Sequence, residues 1–254
     1  MRSVGILDGL KSVIAFLTVI PIKNGHSLED MGRYMPLFPL VGSIIGLISG
    51  IFAWSLLHIL PGIIVGILTL GFILLVTGIH HTDGLLDFGD GIMYQGPPEK
   101  KVEVMHDKQT GAGGLTFGLI FLMTTAFSIG ILSISEIIQS LIVAEISAKL
   151  AMVMIAWAGK SAHEGLGTYC VDAMHGNLRL QKLMIPLIIS FVIAIPLMRI
   201  VGLVVVISAV VVSLIIVWSS NRHFNGITGD VFGAVNEIIR ATSLIVILVM
   251  VQWL

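Results

Sequence analysis

Apolar residues run through this chain in long stretches, separated alternately by short turns and by longer polar loops. Stretches of about 18 apolar residues are long enough to span a bilayer as helices. They fall near 37–57, 62–80, 115–134, 137–158, 183–198, 201–219 and 231–253, which predicts about seven transmembrane helices. Three of the turns between them are short: Leu60-Pro61-Gly62, Ser133–Glu136 and Met198–Gly202. An earlier apolar run, Ser12 to Ile22, is too short to cross and has no small-residue cleavage site after it. It reads as an interfacial or re-entrant segment within 1–35 rather than a secretory signal.

Composition supports the same picture. Of the 254 residues, 56% are hydrophobic and 11% charged, and the mean hydropathy is +1.02. Soluble domains carry roughly a quarter charged residues. A core of this size cannot bury so much apolar surface, so the bilayer must cover it. The expected fold is all-α: a polytopic helical bundle forming one integral membrane domain over 1–254. A net charge of −1 gives no reason to expect a nucleic-acid partner. The single cysteine, Cys170, excludes an intrachain disulfide and gives no reason to expect a Cys-based zinc site. Oligomerisation stays open.

The basic residues are unevenly placed. Arg2, Lys11, Lys23 and Arg33 lie before the first span; Lys100, Lys101 and Lys108 lie in 81–113; Lys160, Arg179 and Lys182 lie in 159–182; Arg222 lies in 219–230. The short turns hold only Arg199. The positive-inside rule then puts the N-terminus and the long loops in the cytoplasm of a multi-pass cell-membrane protein.

The polar chemistry is concentrated in those loops. In Thr77–Gly91, three carboxylates, Asp83, Asp87 and Asp90, recur at i, i+4 and i+7. That spacing puts them on one helical face, where like charges repel and the membrane worsens their desolvation. A hard divalent cation held by carboxylate oxygens relieves both problems, and Mg²⁺ is the expected ion. A solvated acidic helix end is the plainer alternative. A second acidic pair, Glu103 and Asp107, is again four apart, and Gly111, Gly113 and Gly114 follow just before a span. Backbone N–H groups at such a helix start can hold phosphate, although a glycine cluster there is more often a turn. Asp230 and Glu237 share a face entering the last span, with Arg240 three residues after Glu237 as a ready ion-pair partner. Glu145 and Lys149 form an i, i+4 pair in mid-span, readable equally as structural or functional.

At these positions the chain resembles the cobalamin synthase family. Phe16-Leu-Thr-Val-Ile-Pro21 and Phe38-Pro-Leu-Val-Gly42 with Gly46 are similar to its early segments. His81, Asp83-Gly84-Leu85, Asp87 and Asp90-Gly91 match its acidic motif, and Glu103, Met105, Asp107, Gly111 and Gly114 match the block that follows. Thr228-Gly-Asp230, Gly233-Ala234 and Glu237 match its late motif. Two basic residues of the family differ: Val19 replaces an Arg, and Lys108-Gln109 replaces Ser-Arg. An ammonium cannot make the bidentate phosphate contact of a guanidinium, so Lys108 would grip phosphate differently.

The resemblance implies Mg²⁺-dependent joining of α-ribazole, or its 5′-phosphate, to adenosylcobinamide-GDP with release of GMP. It implies metal ligands among Asp83, Asp87, Asp90, Glu103 and Asp107, with the catalytic base among Asp83, Asp87, Asp90 and Asp107. It implies substrate contacts from His81, Lys108, Gly111, Gly114, Asp230 and Glu237. A lipid-type CDP-alcohol phosphotransferase would share the metal site, but its Asp-Gly-x-x-Ala-Arg is absent, since Asp83-Gly84 is followed by Leu85-Leu86-Asp87. A cation transporter is a further alternative, weakened because the acids cluster at helix ends.

This topology is directly testable. Single cysteines placed at positions 61 and 96, in a background lacking Cys170, should label with an impermeant reagent from opposite sides of the membrane. Labelling of both from one side contradicts the arrangement.

Overall fold

The structure is a computed structural model that describes residues 5–22 and 28–253. Arg2 and Lys23 lie outside these residues. The described chain is helical: α1 (Ile6–Leu17), α2 (Leu28–Tyr34), a 3₁₀ turn at Met35–Leu37, α3 (Phe38–Leu56), α4 (Gly62–Thr77), α5 (His80–Met93), α6 (Pro98–Met105), α7 (Ala112–Ile131), α8 (Ile137–Ala158), α9 (Leu166–Met174), α10 (Arg179–Phe224) and α11 (Gly229–Trp253).

Five helices are long and apolar enough to cross a membrane, counting Met31–Leu56 as one, and the bent pair α4 and α5 makes a sixth. α10 is not one rod. Arg199 has φ 51° and ψ −126°, and a methyl group on Gly202 would overlap the carbonyl of Ala194. Residues eight apart in an unbroken helix are separated by about 12 Å, so the chain reverses at Arg199 and α10 is two antiparallel arms. The pair of spans read on either side of Met198–Gly202 is therefore present, and about seven crossings agree with the hydropathy pattern. α1 is a 12-residue helix, about 18 Å long, which is too short to span.

α8 lies at the centre, packed by α3, α10 and α11. Its side chains are buried on nearly every face, which is how a helix surrounded by other helices behaves. Gly42 and Gly46 let α3 approach it: added methyl groups would meet the Glu145 carbonyl at 2.6 Å and the Ile142 Cα at 2.5 Å. These glycines serve helix packing rather than backbone approach to a ligand. The core divides along the helix axes. One cluster holds residues from the short-turn end, including Leu132, Ile137 and Met198. The other holds Val13, Phe38, Leu85, Phe224 and Val231 at the end where the polar loops gather.

Between these clusters sits a polar knot. Glu145, Lys149, Asn236, Glu237 and Arg240 have no exposed surface. Arg240 pairs with both Glu145 and Glu237. Lys149 Nζ donates to Glu145 at 3.2 Å and to the Asn236 side-chain oxygen at 2.6 Å. Asn236 in turn donates to Glu237 at 3.0 Å. Two acids and two bases thus close on one another across α8 and α11.

Breaking this knot should unfold the bundle. Arg240→Met strands two carboxylates beside one ammonium, and removing one partner of a buried ion pair costs about 3–5 kcal/mol. Thermal unfolding in detergent should show a large loss for Arg240→Met that is partly recovered in Arg240→Met/Glu237→Gln. A melting temperature unchanged in the single variant would show that the pairs contribute nothing.

Candidate active site

The site is built where α4 ends. Gly78 takes φ +72°, a left-handed conformation that costs glycine little, and α5 leaves α4 at a 101° bend. α5 therefore runs across the bundle end, outside the span formed by α4. The backbone N–H of Val19 donates to the Val76 carbonyl at 2.8 Å, tying the exit of α1 to the same corner. α5 then crosses the start of α11 at closest backbone approach. A methyl on Gly84 would lie 2.7 Å from the Asp230 carbonyl oxygen, and one on Gly233 would lie 2.8 Å from that of His81. Only glycine fits this crossing, and it brings Asp83 and Asp230 into one cleft.

The three carboxylates of α5 share a face but meet different surroundings. Asp90 is buried and accepts the Gly111 N–H at 2.7 Å and the Gly114 N–H at 2.8 Å. It anchors the start of α7, where a carboxylate also suits the helix dipole. The amide groups expected to meet phosphate at Gly111 and Gly114 are thus taken up by Asp90. Asp83 is exposed and Asp87 half-buried. Both line a cavity of about 310 Å³ with His106, Asp107, Lys108 and Asp230. Burial first, then the charges of Asp230, Asp83 and Asp90, push the Asp87 carboxyl up to about 7.

The distant acidic motifs therefore converge at Asp83, Asp87, Asp107 and Asp230. Asp107 reaches the cleft from the loop after α6, where its carboxylate also accepts the Gln109 N–H at 3.1 Å. Thr228 donates to Asp230 at 3.3 Å. Two expected site residues lie elsewhere. Glu103 pairs with Lys100 at 2.7 Å on the exposed face of α6 and does not line the acidic cavity. Glu237 is held in the buried knot by Arg240 and Asn236.

A larger cavity, about 490 Å³, adjoins the acidic one and shares Asp83 and Asp230 with it. Its walls include Phe16 of α1, Met152 of α8, Leu166 of α9 and Phe232 of α11, with His80 and His81 at the polar end. The position of Leu166 carries no sequence signal, since it depends on how α9 folds back over the bundle. Phe16 lies in a family-like stretch but could not be given a role from sequence.

The donor set suits magnesium. Among the described residues, no group of three or more His, Cys, Asp or Glu side chains is already gathered to hold a metal ion. Magnesium does not require such a cage, because it is commonly bound by one or two carboxylates together with water and substrate phosphate. The raised Asp87 carboxyl marks a cluster whose negative charge is not offset.

The sequence matches the cobalamin-5-phosphate synthase family over residues 9–248. It is 40% identical to the adenosylcobinamide-GDP ribazoletransferase of Methanocella arvoryzae, covering 94% of each chain. It is 34% identical to the protein of the same name from Methanococcoides burtonii, over 96% of this chain and 93% of that one. For the Thermococcus kodakarensis protein of that name the identity is 32%, over 96% and 99%. No solved structure matches. A match across nearly the whole length, together with an acidic cleft assembled from the residues that carry the resemblance, establishes that this chain belongs to the cobalamin-5-phosphate synthase family of membrane transferases.

Proposed function

We propose that the acidic cleft joins α-ribazole, or its 5′-phosphate, to adenosylcobinamide-GDP with magnesium as cofactor, on the cytoplasmic side of the membrane. The observation that carries this reading is the junction of the two cavities at Asp83 and Asp230. A ribose hydroxyl of the acceptor attacks the phosphorus linked to cobinamide. The new P–O bond forms as the bond to the guanylate phosphate breaks, and GMP departs. The hydroxyl proton passes to a carboxylate at the junction, Asp83 or Asp230, a proper task for a general base within reach.

Asp83, Asp87, Asp107 and Asp230 are the residues that would hold magnesium. Bound there, magnesium supplies positive charge against the transferring phosphate. Lys108 lines the same cavity and offers a further positive charge to the diphosphate. Asp90 acts through position. By holding Gly111 and Gly114 it fixes the loop that carries Asp107 and Lys108.

Purified protein given adenosylcobinamide-GDP, α-ribazole and Mg²⁺ should release GMP and form adenosylcobalamin, read by mass spectrometry. GMP release that does not depend on α-ribazole, or metal-driven ion flux without it, overturns the proposal. Asp87→Asn keeps size but removes charge, and should lower turnover by roughly a hundredfold or more. Raised Mg²⁺ should recover part of the loss, since a missing ligand first weakens affinity. A folded variant with near wild-type turnover at every Mg²⁺ concentration removes the metal role.

A further inference from the structure

We infer that the larger cavity beneath α1 is the subsite of the acceptor nucleoside, with its base among Phe16, Met152, Leu166 and Phe232 and its ribose toward Asp83 and Asp230. The inference rests on the transferase reading above and assigns one of its substrates to a place. The cavity, at about 490 Å³, falls within the usual range for small ligands, about 300–1,000 Å³. It is too small to enclose a corrinoid. Aromatic and apolar walls at one end and carboxylates at the other match a flat apolar base carrying a sugar.

His81 adds a second observation. It lines the cavity, is more than nine-tenths buried, and its Nδ1 has no hydrogen-bond partner among the described residues. Buried polar atoms are rarely left so, and a rotation of the ring would offer this one to a nucleoside hydroxyl or ring nitrogen in the cavity. The acidic cleft also meets a different cavity, at His106. That cavity, of about 270 Å³, is bordered by Glu99, His163 and Asn225. Its polar rim suits the guanine of the donor. Acceptor and leaving nucleotide would then occupy separate cavities that both border the acidic cleft.

Leu166 sits at the cavity wall and is 38% exposed, so it tolerates substitution. Leu166→Trp should fill the space and raise the KM for α-ribazole at least tenfold, leaving that for adenosylcobinamide-GDP within twofold. Leu180→Trp, an equally large change at an exposed position that lines none of the three cavities, should leave both KM values within threefold of wild type. Equilibrium dialysis of α-ribazole alone against the detergent-solubilised protein should show the same loss for Leu166→Trp. An unchanged α-ribazole KM and affinity in Leu166→Trp, or a rise confined to the donor's KM, overturns the assignment. Failure of the transferase reading is separate: it is seen in the wild type, as absence of α-ribazole-dependent GMP release.

Discussion

Four charges inside an apolar bundle must pair with one another, and this requirement fixes the register of α11 against α8. Charged groups at membrane depth are expensive, and Glu145, Lys149, Glu237 and Arg240 have no exposed surface. Arg240 can meet both Glu145 and Glu237 only at one rotation and height of α11. Asp230 lies seven residues, or two turns, before Glu237 on the same face. The buried knot therefore also sets where Asp230 emerges. Between the two, Gly233 accepts the backbone of α5, so the position of Asp83 follows from the same packing. The acidic cleft is the exposed end of a structure whose interior is neutral in sum.

Much of this was legible in the sequence because the membrane imposes simple rules. Length and apolarity located the crossings, and the i, i+4, i+7 spacing of Asp83, Asp87 and Asp90 gave one helical face. The break at Arg199 was also visible, as a change between two apolar runs, and the backbone leaves helical geometry there. The i, i+3 spacing of Glu237 and Arg240 offered an ion pair as the alternative to a site role for Glu237, and the pair is present.

Periodicity could not reveal how the shared face divides its work. Three aspartates on one side of α5 are equivalent in sequence, yet Asp90 meets the start of α7 and Asp83 and Asp87 do not. That difference comes from contacts more than twenty residues away. The glycines at 111 and 114 pointed to exposed amides, but a carboxylate from α5 satisfies them. Spacing likewise paired Glu103 with Asp107, whereas Lys100, three residues before Glu103, provides a nearer partner. A local ion pair and a tertiary cleft compete for such a residue, and sequence spacing records only the first. The larger cavity was invisible for a related reason. Its apolar walls come from four helices, and none of their residues differs in kind from those facing lipid.

The same interior pairing bears on how the acids are used. An ion path needs groups that can exchange partners as the ion passes. Here both oxygens of Glu145 are engaged, by Arg240 and Lys149, and Glu237 is held by Arg240 and Asn236. Releasing any one of them leaves an unpaired charge in an apolar interior, a cost of several kcal/mol. Among the described residues, Asp83, Asp87, Asp107 and Asp230 at the bundle end form no such buried pairs, and a basic residue, Lys108, lines the same cavity. Burial first, and then the charges of Asp230, Asp83 and Asp90, raise the Asp87 carboxyl to about 7. A cleft of that kind keeps its acidic groups at the bundle end, while the knot behind it is paired within itself. The arrangement is suited to chemistry at the membrane surface, not to passage through it.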